Sequence, residues 1–330
     1  MSDEESQAKM GLRPTILVID EGGELTDESL RNRMPGKTLV QEDFSITTQT
    51  DTSSDIAVVF NSLRFDQRIT ARAGHFYKWD YEPILADRTA RGFDRVYSFR
   101  TYPGRNSEVA PPILDWWINK SFDELATLET PKKRMDLSAI ASTKTMIEGH
   151  QLRNKFIDAL TKSSISVELF GQGRSRELAD KWYGIAPFRY SIAIENSSVD
   201  HYWTEKISDC ILSFTVPFYF GAPNISSYFP EGSYIWLPID EPQRAIQLIS
   251  ETLDSDSWKA RLPALIEARK RILGEYSLFG QMRRLAMQFR NSHYVPKPVT
   301  KTIRGKRARP GGWKRGGDLR ANLSRSLRKL

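Results

Sequence analysis

The chain has 330 residues, a formal charge of +7, and 39% hydrophobic and 11% aromatic content. That length exceeds the usual single domain, so two domains are expected, and the aromatic content excludes a disordered polymer. A single cysteine, Cys210, excludes an intramolecular disulfide and a cysteine-based zinc site, and the four histidines lack ligand spacing, so no metal site is expected. No stretch approaches the ~18 apolar residues of a membrane span. The acidic, polar start MSDEESQAK is unlike a signal peptide, so a cytoplasmic location is expected.

The charge is unevenly placed. From Lys297 onward there are twelve Lys or Arg and one acid, Asp318, a net of +11 that leaves −4 on the rest of the chain. The basicity belongs to a tail, which argues against nucleic acid as a partner of the folded body.

In chain order, residues 1–12 read as a disordered N-terminus. Residues 15–20 form a β-branched, buried strand. Residues 25–34 have helical spacing, with Thr26-Asp27 as cap and Pro35-Gly36 as stop. Strands are expected at 56–60 and 95–99, with an aromatic stretch from Phe76 to Pro83 between them. This alternation predicts an α/β domain over 13–131, closed by a linker near Glu129–Lys133. A second α/β domain is expected over 132–290. It starts with a strand at 136–142 that runs into a polar loop, then a helix at 150–160 and a strand at 165–170 that turns through Gly171-Gln172-Gly173. Further on come a strand at 234–237 and a helix-rich run over 242–289 that breaks near Pro263. The tail, 291–330, begins irregularly. It ends with Leu319, Leu323, Leu327 and Leu330 on one helical face among basic residues, a pattern that suits an anionic membrane surface and equally a solvated tail.

The stretch from Tyr190 to Gly221 organises the second domain. Its strand (Tyr190, Ile192, Ile194) leads into the loop Glu195-Asn196-Ser197-Ser198. Then Trp203-Thr204-Glu205-Lys206 opens a helix, and residues 215–221 form the next strand. This is a βαβ unit, in which ligands bind beyond the carboxyl ends of the strands. So many hydroxyl, amide and charged groups in one loop suit a polyhydroxylated, anionic ligand. Lys206 and Arg153, each expected in the first turn of a helix, are placed to hold a diphosphate, with Lys144 as a third cation. Glu205 fits a ribose diol, or merely complements the helix dipole. Gly171 and Gly173 either admit a close ligand or make a plain turn. Asp254-Ser255-Asp256 has a metal-chelating pattern but reads as a helix cap.

The run ENSS, five residues and TEK, with the upstream FGQG and the downstream Pro-containing strand that ends in Gly221, resembles the signature of the α-1,3-fucosyltransferase family, glycosyltransferase family 10. The resemblance covers about 100 residues well, from Asp136 to Pro238. It implies a GT-B fold, two Rossmann-like α/β domains facing a cleft. It also implies inverting transfer of fucose from GDP-fucose to a glycan hydroxyl, in an α-1,3 linkage to an N-acetylglucosamine-containing acceptor. Bacterial members act on lipopolysaccharide or capsule precursors at the inner face of the membrane. By resemblance, Arg153 and Lys206 hold the pyrophosphate, Glu205 the ribose, and Glu195, Asn196 and Ser197 face the sugar and phosphates. Tyr202 and Thr204 wall the pocket. The general base is expected at Glu82, because the family carries a Glu shortly before a Pro in its acceptor domain; here the intervening Ser is missing, and Glu108 is the alternative. With two cations on the diphosphate, no cofactor or divalent metal is expected. A related transferase using another GDP-sugar, or a non-catalytic membrane- or nucleic-acid-binding protein with a degenerate enzyme body, remain the alternatives.

Overall fold

The structure, a computed structural model, describes residues 13–20, 25–61, 63–80, 92–110, 116–255, 257–292 and 296–305. Glu82 and the leucine face at 319–330 lie outside the described residues.

The first half carries β1 (Thr15–Ile19), β2 (Ser45–Thr47), β3 (Ile56–Phe60), β4 (Gln67–Arg72), β5 (Phe76–Asp80), β6 (Arg95–Ser98) and β7 (Ser107–Val109). All but β4 join one parallel sheet in the order β2-β1-β3-β5-β6-β7. The unbroken apolar runs of β1 and β3 suit a parallel sheet covered on both faces. Leu17, Ile19, Ala57 and Val59 pack under a ribbon of β4 and a later strand. Ile16, Val18, Ile56 and Val58 pack on the other face, against a helix from near the chain's end. A short helix, α1 (Asp27–Arg31), begins where the Thr26 and Ser29 side chains cap each other's backbone, so it is shorter than the helical spacing over 25–34 suggests.

The second half opens with α2 (Phe122–Ala126) and then carries β8 (Met135–Ile140), α3 (Glu148–Thr161), β9 (Glu168–Phe170), α4 (Trp182–Ile185) and β10 (Phe188–Ile194). These are followed by α5 (Glu205–Leu212), β11 (Val216–Phe220), β12 (Ile235–Trp236), α6 (Pro242–Asp254) and α7 (Leu262–Arg271). Its five strands are parallel, in the order β12-β11-β10-β8-β9. The direction of winding reverses between β8 and β10, and a crevice at such a switch point is where an open α/β sheet takes its ligand.

After α7 a π turn at Ile272–Tyr276 and the cap Ser277 lead into α8 (Leu278–Asn291), and β13 (Pro298–Ile303) follows. Leu278, Met282, Leu285, Ala286 and Phe289 make an apolar stripe that packs into the first half. The expected boundaries at 131 and 290 therefore differ from the packing. Trp116, Ile118 and Leu125 already belong to the second core, because the chain has crossed by then, whereas α8 has crossed back. The tail's first part is not irregular either. β13 pairs antiparallel with β4, from Pro298 opposite Arg72 to Ile303 opposite Gln67. Asp254 closes α6 instead of capping a following helix; Asp256 is outside the described residues.

The halves meet at their strand ends. Phe99, just after β6, touches Tyr202, beyond β10, edge to face with 5.8 Å between ring centroids.

Candidate active site

The site grows from the two loops at the switch point. β8 ends in the loop through Ser142, Thr143 and Lys144, and β10 ends in Glu195-Asn196. Arg153 joins them. Its Nη1 donates to Asn196 Oδ1 at 3.2 Å, and its Nη2 donates to the Ser142 carbonyl at 3.2 Å and Oγ at 3.3 Å. Because α3 begins at Glu148, ahead of the expected start at His150, Arg153 stands in its second turn rather than the expected first, and its reach comes from the side chain. Arg153 is buried, its Nε has no partner among the described residues, and burial and the nearby Arg174 disfavour its charge. A buried, incompletely paired guanidinium is a strong site for an anion.

Opposite it stands the start of α5. Thr204 is the N-cap, its hydroxyl accepting from the Lys206 amide at 3.4 Å. Glu195 is fully enclosed. It accepts from the Thr204 amide at 2.7 Å, the Thr204 hydroxyl at 2.8 and 2.9 Å, and Lys206 Nζ at 3.0 Å. Both its oxygens are taken, so Glu195 acts by fixing Thr204 and Lys206 rather than by facing a ligand itself. Burial pushes its carboxyl up, against the pull of Lys206. Gly221 makes this possible: a Cβ there would stand 2.5 Å from Glu195 Cγ and 2.2 Å from the Tyr219 hydroxyl. Lys206 keeps about a quarter of its side chain exposed, and although burial opposes its charge, Glu195 and Glu205 hold its ammonium well above the ordinary range.

Glu205 is the first residue of α5, 3.3 Å from Lys181 Nζ and 3.8 Å from Lys206 Nζ. Burial alone would raise its carboxyl, but the two ammonium groups outweigh that and hold it at about 2. It is therefore a permanent carboxylate able to accept from a diol. Asn196 and Ser197 are half-buried, and Tyr202 is buried against Phe99. Gly171 and Gly173 carry positive φ and press on the β8 loop: a Cβ would stand 2.4 Å from the Ala141 carbonyl in one case and 2.4 Å from Thr143 Oγ1 in the other. They shape the crevice wall.

Three residues here escaped the sequence reading. Lys181 sets Glu205 by bridging it to Asp209, also at 3.3 Å. Arg174, after the glycine turn, donates to the Ala141 carbonyl at 3.3 Å. His150 is buried in the first turn of α3. Only His150 had a local signal: it lies three residues before Arg153, on the same helix face. In the first half, Glu108 is tied to Arg284 at 2.9 Å and Arg95 at 3.4 Å, a poor setting for a free base. The buried pair Lys78–Asp80 ends β5, just before Glu82 in the chain.

Two parallel Rossmann-like sheets whose carboxyl ends face each other define the GT-B class of glycosyltransferase folds. A solved structure titled α1,3-fucosyltransferase with GDP-fucose matches with a TM-score of 0.52 and 18% identity, over 87% of this chain and 94% of that one. Residues 130–254 match the family model described as glycosyltransferase family 10 (fucosyltransferase) C-term. Among curated proteins, an α-(1,3)-fucosyltransferase, FucT, of Helicobacter pylori is 31% identical over 191 residues, 55% of this chain and 37% of that protein. A putative fucosyltransferase-like protein of Arabidopsis thaliana is 26% identical over 151 residues, 45% of this chain and 28% of that one. The chain thus spans only 28 to 37% of the length of these two relatives.

Proposed function

We propose that the chain moves fucose from GDP-fucose to a hydroxyl of an N-acetylglucosamine-containing glycan, in an α-1,3 linkage and with inversion. The observation that carries this reading is the convergence of Arg153, Asn196, Glu205 and Lys206 on the switch point, inside the segment that matches the fucosyltransferase family. Arg153 and Lys206 hold the diphosphate, Glu205 accepts from the ribose diol, and Thr204 and Glu195 keep Lys206 aimed. The acceptor oxygen bonds to the sugar's anomeric carbon as the bond from that carbon to the diphosphate breaks. The hydroxyl proton passes to Glu82, and the charge left on GDP is met by the two cations. Those cations supply at the leaving group what a divalent metal supplies elsewhere, so transfer is expected to survive EDTA.

The contacts named for Arg153, Glu205 and Lys206 serve the part common to every GDP-sugar, which favours as second reading a transferase for another such donor. Residues 319–330 would rest on an anionic membrane surface from the cytoplasmic side; co-sedimentation with anionic vesicles, lost on deleting them, tests that. Among the described residues no helix is long and apolar enough to cross a membrane. The reading as a whole is tested by following GDP release and product with N-acetyllactosamine and either GDP-fucose or GDP-mannose. Fucosylated product is expected. Preferential use of GDP-mannose moves the reading to the second donor, and no turnover or binding of either leaves a non-catalytic protein.

A further inference from the structure

The cations read as diphosphate ligands have a neighbour with no part yet in the site. His150 is more than nine-tenths buried, at the third position of α3, and its Nδ1 has no hydrogen-bond partner among the described residues. A buried ring nitrogen without a partner is a cost the fold has no packing reason to bear. The helix start around it is set against the β10 loop: a Cβ on Gly149 would stand 2.0 Å from the Asn196 carbonyl. The α3 N-cap, Ile147, offers no side-chain cap, so the first amides of this 14-residue helix are not satisfied by a side chain there.

The groups that face the imidazole are nearly all cationic. Arg153 comes from its own helix, Lys144 from the β8 loop and Lys206 from α5, while a hydrogen bond between the ring and the Asn196 side chain favours the charged form. Arg174, on the loop after β9, adds its charge through Arg153. The nearest acid on the helix, Glu148, is exposed, and Lys206 already shares its charge with Glu195. The other described histidines are placed differently. His201 Nδ1 is 2.8 Å from the Tyr228 hydroxyl, and His75 packs edge-on against Phe289 at 4.8 Å.

We infer that His150 is a further ligand of the donor diphosphate, a neutral imidazole until the diphosphate binds and an imidazolium once it has bound. The inference rests on the donor-site reading above. Burial first, and then Arg153, Lys144 and Lys206, hold its pKa below the ordinary 6.5. Two phosphate charges set among these cations reverse the local field, and the cheapest response is uptake of one proton from solvent by the ring. Donor binding then tightens as the pH falls. Each unit by which the bound donor raises this pKa makes affinity about tenfold greater at the acid limit than at the alkaline limit.

The test is the titration of the imidazole C–H signals of the full chain by NMR, with and without saturating GDP-fucose or GDP-mannose, whose diphosphate diesters do not themselves titrate near neutrality. With only four histidines in the chain, a His150→Gln variant assigns the signal. The expected result is a His150 midpoint below 6.5 that rises by about one unit or more on binding. Calorimetry should show the matching proton uptake, diminished in His150→Gln. A His150 midpoint that stays put while calorimetry shows the donor bound overturns this inference and leaves the donor site standing. If neither sugar nucleotide binds, the donor-site reading falls and this inference with it.

Discussion

The two halves carry the same kind of parallel sheet and differ in where its covering comes from. In the second half, β8 to α7 follow one another in the chain, and the loops of the site hang from that contiguous run. The first half is closed from a distance. α8 fills one face and β13 seals the other, with the Thr70 and Thr300 hydroxyls 2.9 Å apart across 230 positions of sequence. Within that run Arg153 is tied to Asn196, and Glu195 to Lys206, by direct hydrogen bonds. The half expected to present the acceptor is assembled only when the C-terminal segment docks, which makes it the more readily loosened partner.

The comparison can be broken most sharply at the base. Glu82→Gln should lower transfer about 10²–10⁴-fold while GDP affinity stays unchanged, because a base on the first half does not hold the donor. Steady-state rates beside calorimetry check this, and an active variant moves the base elsewhere. Next, Phe289→Ala deletes a buried ring of α8 and should cost about 3–5 kcal/mol. Hydrogen exchange should then quicken in β1 and β3 while β10 and β11 keep their protection; uniform loss in both sheets would contradict the division drawn here. Third, Lys206→Ala should cut transfer about 10²–10³-fold through uncompensated leaving-group charge. It should also lower the melting temperature, because Glu195 loses its cation.

The smallest effect is one of pH. Burial above all, aided by Glu205 and opposed by Lys181, pushes the Asp209 carboxyl up to about 7 from an ordinary 3.8. A carboxyl that is harder to ionise when folded favours folding in its protonated form. Its contribution is full below about pH 4 and lost as the pH rises through about 7. Glu205, four residues earlier and held at about 2, has the opposite sign: its contribution is full above about 4.5 and lost as the pH falls toward 2. Thermal melts of Asp209→Asn should therefore show a flatter decline between pH 4 and 7 than the parent chain; an unchanged slope would mean that Asp209 ionises normally.

The same contrast explains what was legible in the sequence. β1, β3, β6, β10 and β11 are apolar enough to be read directly, and the loop from Glu195 to Lys206 is local, so its chemistry could be read with it. β5 was obscured because Lys78 and Asp80 interrupt the apolar run, and only the fold shows that they are buried against each other. The three-residue strands β2 and β7 are too short to carry a period, and β4 and β13 are recognisable as strands only through each other. Lys181 reaches Glu205 across 24 positions, so no spacing rule could pair them. Arg153 is recognisable by its charge but stands a turn deeper in its helix than expected, because the N-cap is Ile147, whose side chain cannot cap, and nothing marks a start as early as Glu148.

The central claim is that the β8–β10 switch point binds the diphosphate of a GDP-sugar. Calorimetric titration of GDP into the full chain and into Arg153→Ala tests it most directly. Saturable one-to-one binding is expected that weakens at least tenfold in the variant, in keeping with about 1.5–3 kcal/mol for a charged hydrogen-bonding group, while its melting temperature stays near that of the parent. Equal GDP affinity in both proteins would place the nucleotide elsewhere and contradict the account.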